Sequence, residues 1–158
     1  MKKILTEKQQ KELVFMKDFI LFVSDYIHKD LEEPDKSIYE EAKIYLIDGL
    51  KKGVEIGEIR GMRMAFNDTL DMAKDLSYAQ KEELNAILRE KFGTDLNEQN
   101  NKNYKKIKRV LQRGKIKTDE EFYLLKERID EIYEDESKSE EVDELGTLLL
   151  NYENSKRV

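Results

Sequence analysis

Leu13, Met16, Ile20, Val23 and Ile27 recur at intervals of three, four, three and four residues, a spacing that holds all five on one side of an α-helix. Phe15, Phe19, Phe22 and Tyr26 widen that stripe beyond a two-stranded coiled-coil seam. A first helix over 6–31 therefore needs apolar neighbours on more than one side, as the core helix of an N-terminal bundle or in a dimer. Thr6 with Gln9 has the spacing of the capping box that would start it.

Glu33-Pro34-Asp35 ends this helix and opens the next, in which Ile38, Ala42, Tyr45 and Gly49 continue the periodic spacing. Gly49, Gly53, Gly57 and Gly61 then fall one every four residues, although each glycine costs a helix interior about 1 kcal/mol relative to alanine. On a helical wheel they lie beside Leu46, Leu50 and Val54 and opposite Lys51, Lys52, Glu55 and Glu58. They are therefore expected on the buried side, as a ridge for close helix packing or self-association. The ridge loosely resembles helical tails of some transposase-like nuclease relatives; the likeness covers the glycine stretch alone and carries no catalytic position. After Gly61 the apolar phase changes to Met62, Phe66, Thr69, Ala73 and Leu76. A single long helix over 37–76, kinked near Gly61, is the favoured reading; two helices meeting there is the other.

Ser77 with Gln80 opens a further helix carrying Leu84, Ile87, Leu88 and Phe92, and Gly93 stands where a left-handed C-terminal cap belongs. The polar stretch 97–103 reads as a linker between an N-terminal helical region, 1–96, and a C-terminal three-helix module, 104–153. In that module Tyr104, Ile107, Val110 and Leu111 mark one helix, closed by Gly114. Thr118 caps a second with Phe122, Leu125, Ile129 and Ile132, and Ser139 a third with Val142, Leu145, Leu149 and Tyr152. The last two are expected to form an αα-hairpin. No convincing alternation of period two occurs, so the chain reads as all-α, with about six amphipathic helices.

Composition adds limits. Apolar residues make up 39% and charged residues 41%, a balance suited to helices that each hide one stripe. The absence of cysteine excludes disulfide scaffolds and thiolate chemistry. Apolar runs such as Phe19 to Val23 are too short to span a bilayer, and the polar stretch Thr6 to Glu12 replaces the apolar core that a leader beginning Met1-Lys2-Lys3 would need. A cytoplasmic location is the expectation.

Candidate chemistry is sparse. His28, the one histidine, sits at a helix end with no Ser-His-Asp or Cys-His pattern around it, Asp25 being its nearest acidic pairing. Pro34-Asp35 and Glu41-Ala42-Lys43 mimic the letters of a PD-(D/E)xK nuclease motif, but lie at a helix start rather than on adjacent strands. No EF-hand core or Glu-x-x-His pair accompanies the carboxylates, so no metal or cofactor is expected.

The strongest regional signal is charge. A net charge of −6 disfavours bulk nucleic-acid binding, yet the charge is segregated. Between Asn101 and Thr118 stand eight basic residues and no acidic one; between Asp119 and Glu144, thirteen acidic and three basic. These sequences suggest a non-enzymatic helical protein with an unidentified protein partner, such as an acidic inhibitor of the immunity or antitoxin kind. Its candidate acidic face is Glu134, Asp135, Glu136, Glu140 and Glu141. One alternative is a nucleic-acid-binding accessory factor using 102–117, with Lys105, Lys106, Lys108, Arg109 and Arg113 as its basic patch. The other is a structural homodimer joined through the glycine ridge or the first helix.

Overall fold

The computed structural model describes residues 4–156, so the reading of Met1 to Lys3 lies outside the described residues. Those residues form seven α-helices, one short 3-10 turn and no strand. The chain divides into two compact units, Met1–Leu96 and Asn97–Val158.

In the first unit α1 spans Glu7–Ile27, α2 Asp35–Ile56, α3 Ile59–Ala73 and α4 Tyr78–Phe92. Thr6 starts α1 by accepting a hydrogen bond from the Gln9 N–H at 3.1 Å, while the Gln9 side chain accepts from the Thr6 N–H at 3.0 Å. Ser77 and Gln80 repeat the device at α4, so two orphan donors are satisfied at each start. Helix α1 buries Leu13, Met16, Phe19, Ile20 and Val23. Phe19 is completely enclosed; its ring centroid lies 4.9 Å from that of Phe66 on α3 and 5.5 Å from that of Phe92 on α4. Around this stack close Met62, Leu70, Leu84 and Leu88. Polar ties complete the docking. Arg63 on α3 forks onto Glu12 at 2.9 and 3.0 Å, and Asp25 on α1 accepts from Tyr39 and Lys43 on α2 at 3.0 and 2.9 Å.

The single long helix expected over 37–76 is two helices, and the break is at Gly57 rather than Gly61. Gly57 adopts a left-handed conformation (φ 73°) and caps α2, its N–H bonded to the carbonyls of Gly53 and Val54. That conformation costs residues with a Cβ roughly 1–2 kcal/mol, so the third glycine of the series ends the helix. The turn brings Met62 back over Gly53, where an added Cβ would lie 2.7 Å from the Met62 sulfur.

In the second unit α5 spans Leu96–Arg113, α6 Asp119–Ile132 and α7 Ser139–Lys156, with the 3-10 turn at Glu136–Lys138. The stretch 97–103, expected to be a linker, is the start of α5. Its inward positions are polar: Gln99 is buried and Asn103 half-buried, in helical register with Ile107 and Val110 of this unit's core. The stripe therefore continues, but in residues that a hydrophobic pattern does not count. Asn85 helps to start the helix by accepting from the Leu96 N–H at 2.9 Å. Helices α6 and α7 run antiparallel, with Arg128 meeting Glu141 and Asp119 meeting Tyr152. Leu125 and Leu145 are wholly enclosed in this unit's core.

Phe19→Ala is expected to cost about 3–5 kcal/mol in urea unfolding, as truncation of an enclosed aromatic does. Gly57→Ala should cost about 1–2 kcal/mol, whereas Gly49→Ala, whose added Cβ meets nothing within 4 Å, should gain up to about 1 kcal/mol from helix propensity. Equal effects at the two glycines would contradict their different backbone roles.

Candidate interaction surfaces

The four evenly spaced glycines do not form one buried ridge. Gly53 and Gly57 are buried, whereas Gly49 and Gly61 are exposed. With Tyr45, Leu46, Met62 and Ala65 the exposed pair lines an open groove of about 300 Å³ between α2 and α3. Ile38, Ala42 and Tyr45, which share the face of Gly49, are exposed as well; Tyr45 is 79% accessible. Helix α2 docks on the core through the neighbouring Leu46, Leu50 and Val54, which leaves this second apolar stripe uncovered in the chain.

His28 is held at the end of α1. Its Nδ1 lies 2.7 Å from the Ser24 carbonyl, and its ring stacks on Tyr39 at 4.1 Å. Asp25, the carboxylate nearest to it in sequence, is taken by Tyr39 and Lys43 instead. Among the described residues no cluster of three or more metal-ligating side chains is found, and no helix is long and apolar enough to cross a membrane.

Nearby, the Glu83 carboxylate accepts from Lys29 at 3.2 Å and lies 3.1 Å from the Tyr26 hydroxyl. Hydrogen bonds from Lys29 and then Tyr26 lower the Glu83 pKa. Burial, reinforced by Glu83, raises that of Tyr26. These groups tie α1 to α4.

In the second unit the charged residues sort by helix face. Lys105, Lys106, Arg109 and Arg113 lie on one side of α5, and the first three are exposed with no ion pair among the described residues. Lys108 lies off that side, its ammonium 4.9 Å from the Tyr104 ring centroid. Arg113 is engaged by Glu121.

The acidic candidates also separate. Glu141 turns inward and accepts both arms of Arg128 at 3.1 and 3.2 Å. Burial is the largest single influence on Arg128 and opposes its charge, but the Glu141 hydrogen bonds together with the attraction of Glu141, Glu131 and Tyr104 outweigh it and raise the guanidinium pKa. Asp135 caps the 3-10 turn, and the Ser137 hydroxyl and then its N–H hold the carboxyl below its usual range. Glu134, Glu136 and Glu140 remain exposed without an ion pair among the described residues.

Asp143 and Glu144, absent from the sequence-derived face, occupy a more telling place. They follow Glu140 by three and four residues and so share its side of α7. There they border a groove of about 430 Å³ whose other walls are Leu111, Thr147 and Leu148. Their spacing from Glu140 was readable in the sequence; the apolar floor beside them was not, because Leu111 arrives from α5. Compared with protein-family models, curated proteins and solved structures, the chain matches none of them.

The Glu83 pairing has a definite sign. A lowered carboxylate pKa favours the folded state above the usual carboxylate range, and that contribution disappears as the pH falls through the lowered value. NMR titration should place Glu83 below an ordinary glutamate, and Lys29→Met should move it back up. An unchanged Glu83 titration in the variant would rule out the Lys29 contact as the main cause.

Proposed function

We propose that the chain is a non-enzymatic interaction protein whose second unit receives a basic segment of a partner protein. The observation that carries this reading is the groove on α7: an apolar floor, Leu111 and Leu148, bordered by Asp143 and Glu144, with exposed Glu140 one turn earlier. An amphipathic segment bearing lysine or arginine matches that combination, since apolar contact supplies affinity while unpaired carboxylates steer the approach and reject acidic competitors. Among the described residues no basic group forms an ion pair with this rim. Arg113 and Arg128 are spent on Glu121 and Glu141, and Lys156 on Asp119. A cytoplasmic inhibitor of the immunity or antitoxin kind is the concrete form the proposal takes.

A second reading rests on the free basic side of α5, where Lys105, Lys106 and Arg109 stand together in an arrangement suited to phosphate contact. The isolated Tyr104, engaged by Lys108, offers little for base stacking, which is why the acidic groove is preferred.

The two readings separate in one comparison. Affinity capture at moderate salt should recover a partner with the wild-type chain and lose it with Asp143→Lys/Glu144→Lys, while Lys105→Ala/Lys106→Ala/Arg109→Ala retains it. Filter binding should show no retention of duplex or single-stranded DNA at low salt. Retention abolished by the α5 triple variant would establish the second reading instead.

A further inference from the structure

We infer that the uncovered stripe of α2 pairs with the same stripe of a second copy of this chain, the two helices running antiparallel. The proposal concerns the first unit and goes beyond the charged surfaces of the second. Ile38, Ala42, Tyr45, Gly49, Gly53 and Ile56 follow one another at four, three, four, four and three residues, and so form a single band along the helix, about 27 Å long at 1.5 Å per residue. All but Gly53 are exposed, with Ile38 62%, Tyr45 79% and Ile56 36% accessible. A continuous apolar band of this length marks an interaction surface rather than scattered surface hydrophobics.

The identity of the occupant follows from self-complementarity. An isologous pair requires a two-fold axis across the patch, so each feature on one side must meet its complement from the other. For an axis across the stripe midway between Tyr45 and Gly49, the requirement is met three times. Tyr45, a projecting ring, lies opposite the partner copy's exposed glycine at 49, where nothing within 4 Å of a built Cβ blocks entry and the groove of about 300 Å³ opens. Ile38 and Ile56 are equally far from the axis and meet each other. Glu41 and Lys52 flank the same edge of the stripe, six and five residues from the centre, and antiparallel pairing sets each against the other. Both are exposed and make no ion pair among the described residues. Parallel pairing would instead set Tyr45 against Tyr45, leave the glycine hole unfilled and forgo the Glu41–Lys52 match. The exposed glycines at 49 and 61 allow the close backbone approach that the knob needs.

Sedimentation equilibrium of the full chain, from about 10 µM to about 1 mM, tests this directly. The wild-type chain should show a monomer–dimer equilibrium. Tyr45→Ala, which removes the knob, and Gly49→Leu, which fills the hole, should each weaken it at least about tenfold, as loss of a central anchor does. Both positions are exposed, so helical circular dichroism should persist. Glu41→Lys should weaken association, and combining it with Lys52→Glu should restore it to within about threefold of wild type. A chain monomeric throughout, as it would be if the groove served a different protein, overturns the proposal. So does a dimer indifferent to Tyr45→Ala, or a charge swap that restores nothing.

Discussion

Phe19 is the residue around which the first unit is arranged. It is fully enclosed, with Phe66 on one side and Phe92 on another, so α1 can satisfy its broad aromatic stripe only by receiving α3 and α4 together. Burial of side chains this large is the main favourable term available to a chain so rich in charge. Much of the surface of α1 is committed to that stack. Helix α2 docks through Leu46, Leu50 and Val54 and through polar ties from Tyr39 and Lys43 to Asp25. A helix that carries two apolar stripes and is covered on one keeps the other in water, and the groove beside Gly49 is the result.

The evenly spaced glycines show how one sequence feature is divided by backbone geometry. Gly57 supplies a left-handed cap. Gly53 gives Met62 room to cross. Gly49 and Gly61 are exposed along the groove. Equal spacing in the chain does not mean equal surroundings, since the helix that would have aligned them ends after Ile56.

In the second unit, charge segregation along the chain becomes segregation by face. Arg113 and Arg128 are used internally, because each lies close enough to one carboxylate, Glu121 or Glu141, to form a hydrogen-bonded ion pair. Beside them Glu140, Asp143 and Glu144 of α7 are exposed and make no ion pair among the described residues, with Leu111 and Leu148 lining the same groove as the last two. The fold thereby places negative charge next to apolar surface, a combination that favours a partner carrying both complements.

Local chemistry along the chain determined the helical class, the capping boxes at Thr6 and Ser77, the glycine caps at Gly93 and Gly114, and the aromatic width of α1. Each depends on contacts within a few residues, or on a period that a helix imposes by itself. Three features were decided only by tertiary structure. The start of α5 has Gln99 buried and Asn103 half-buried on its inward side, where a hydrophobic pattern sees only polar letters. Glu141 is lost from the acidic face, while Asp143 and Glu144 gain their place from a leucine that α5 brings beside them. The seam from Ile38 to Gly49 has the periodicity of a buried face yet lies in solvent. Periodicity reports that a helix has an apolar side; whether anything in the same chain covers that side depends on how many helices the central aromatic stack leaves free.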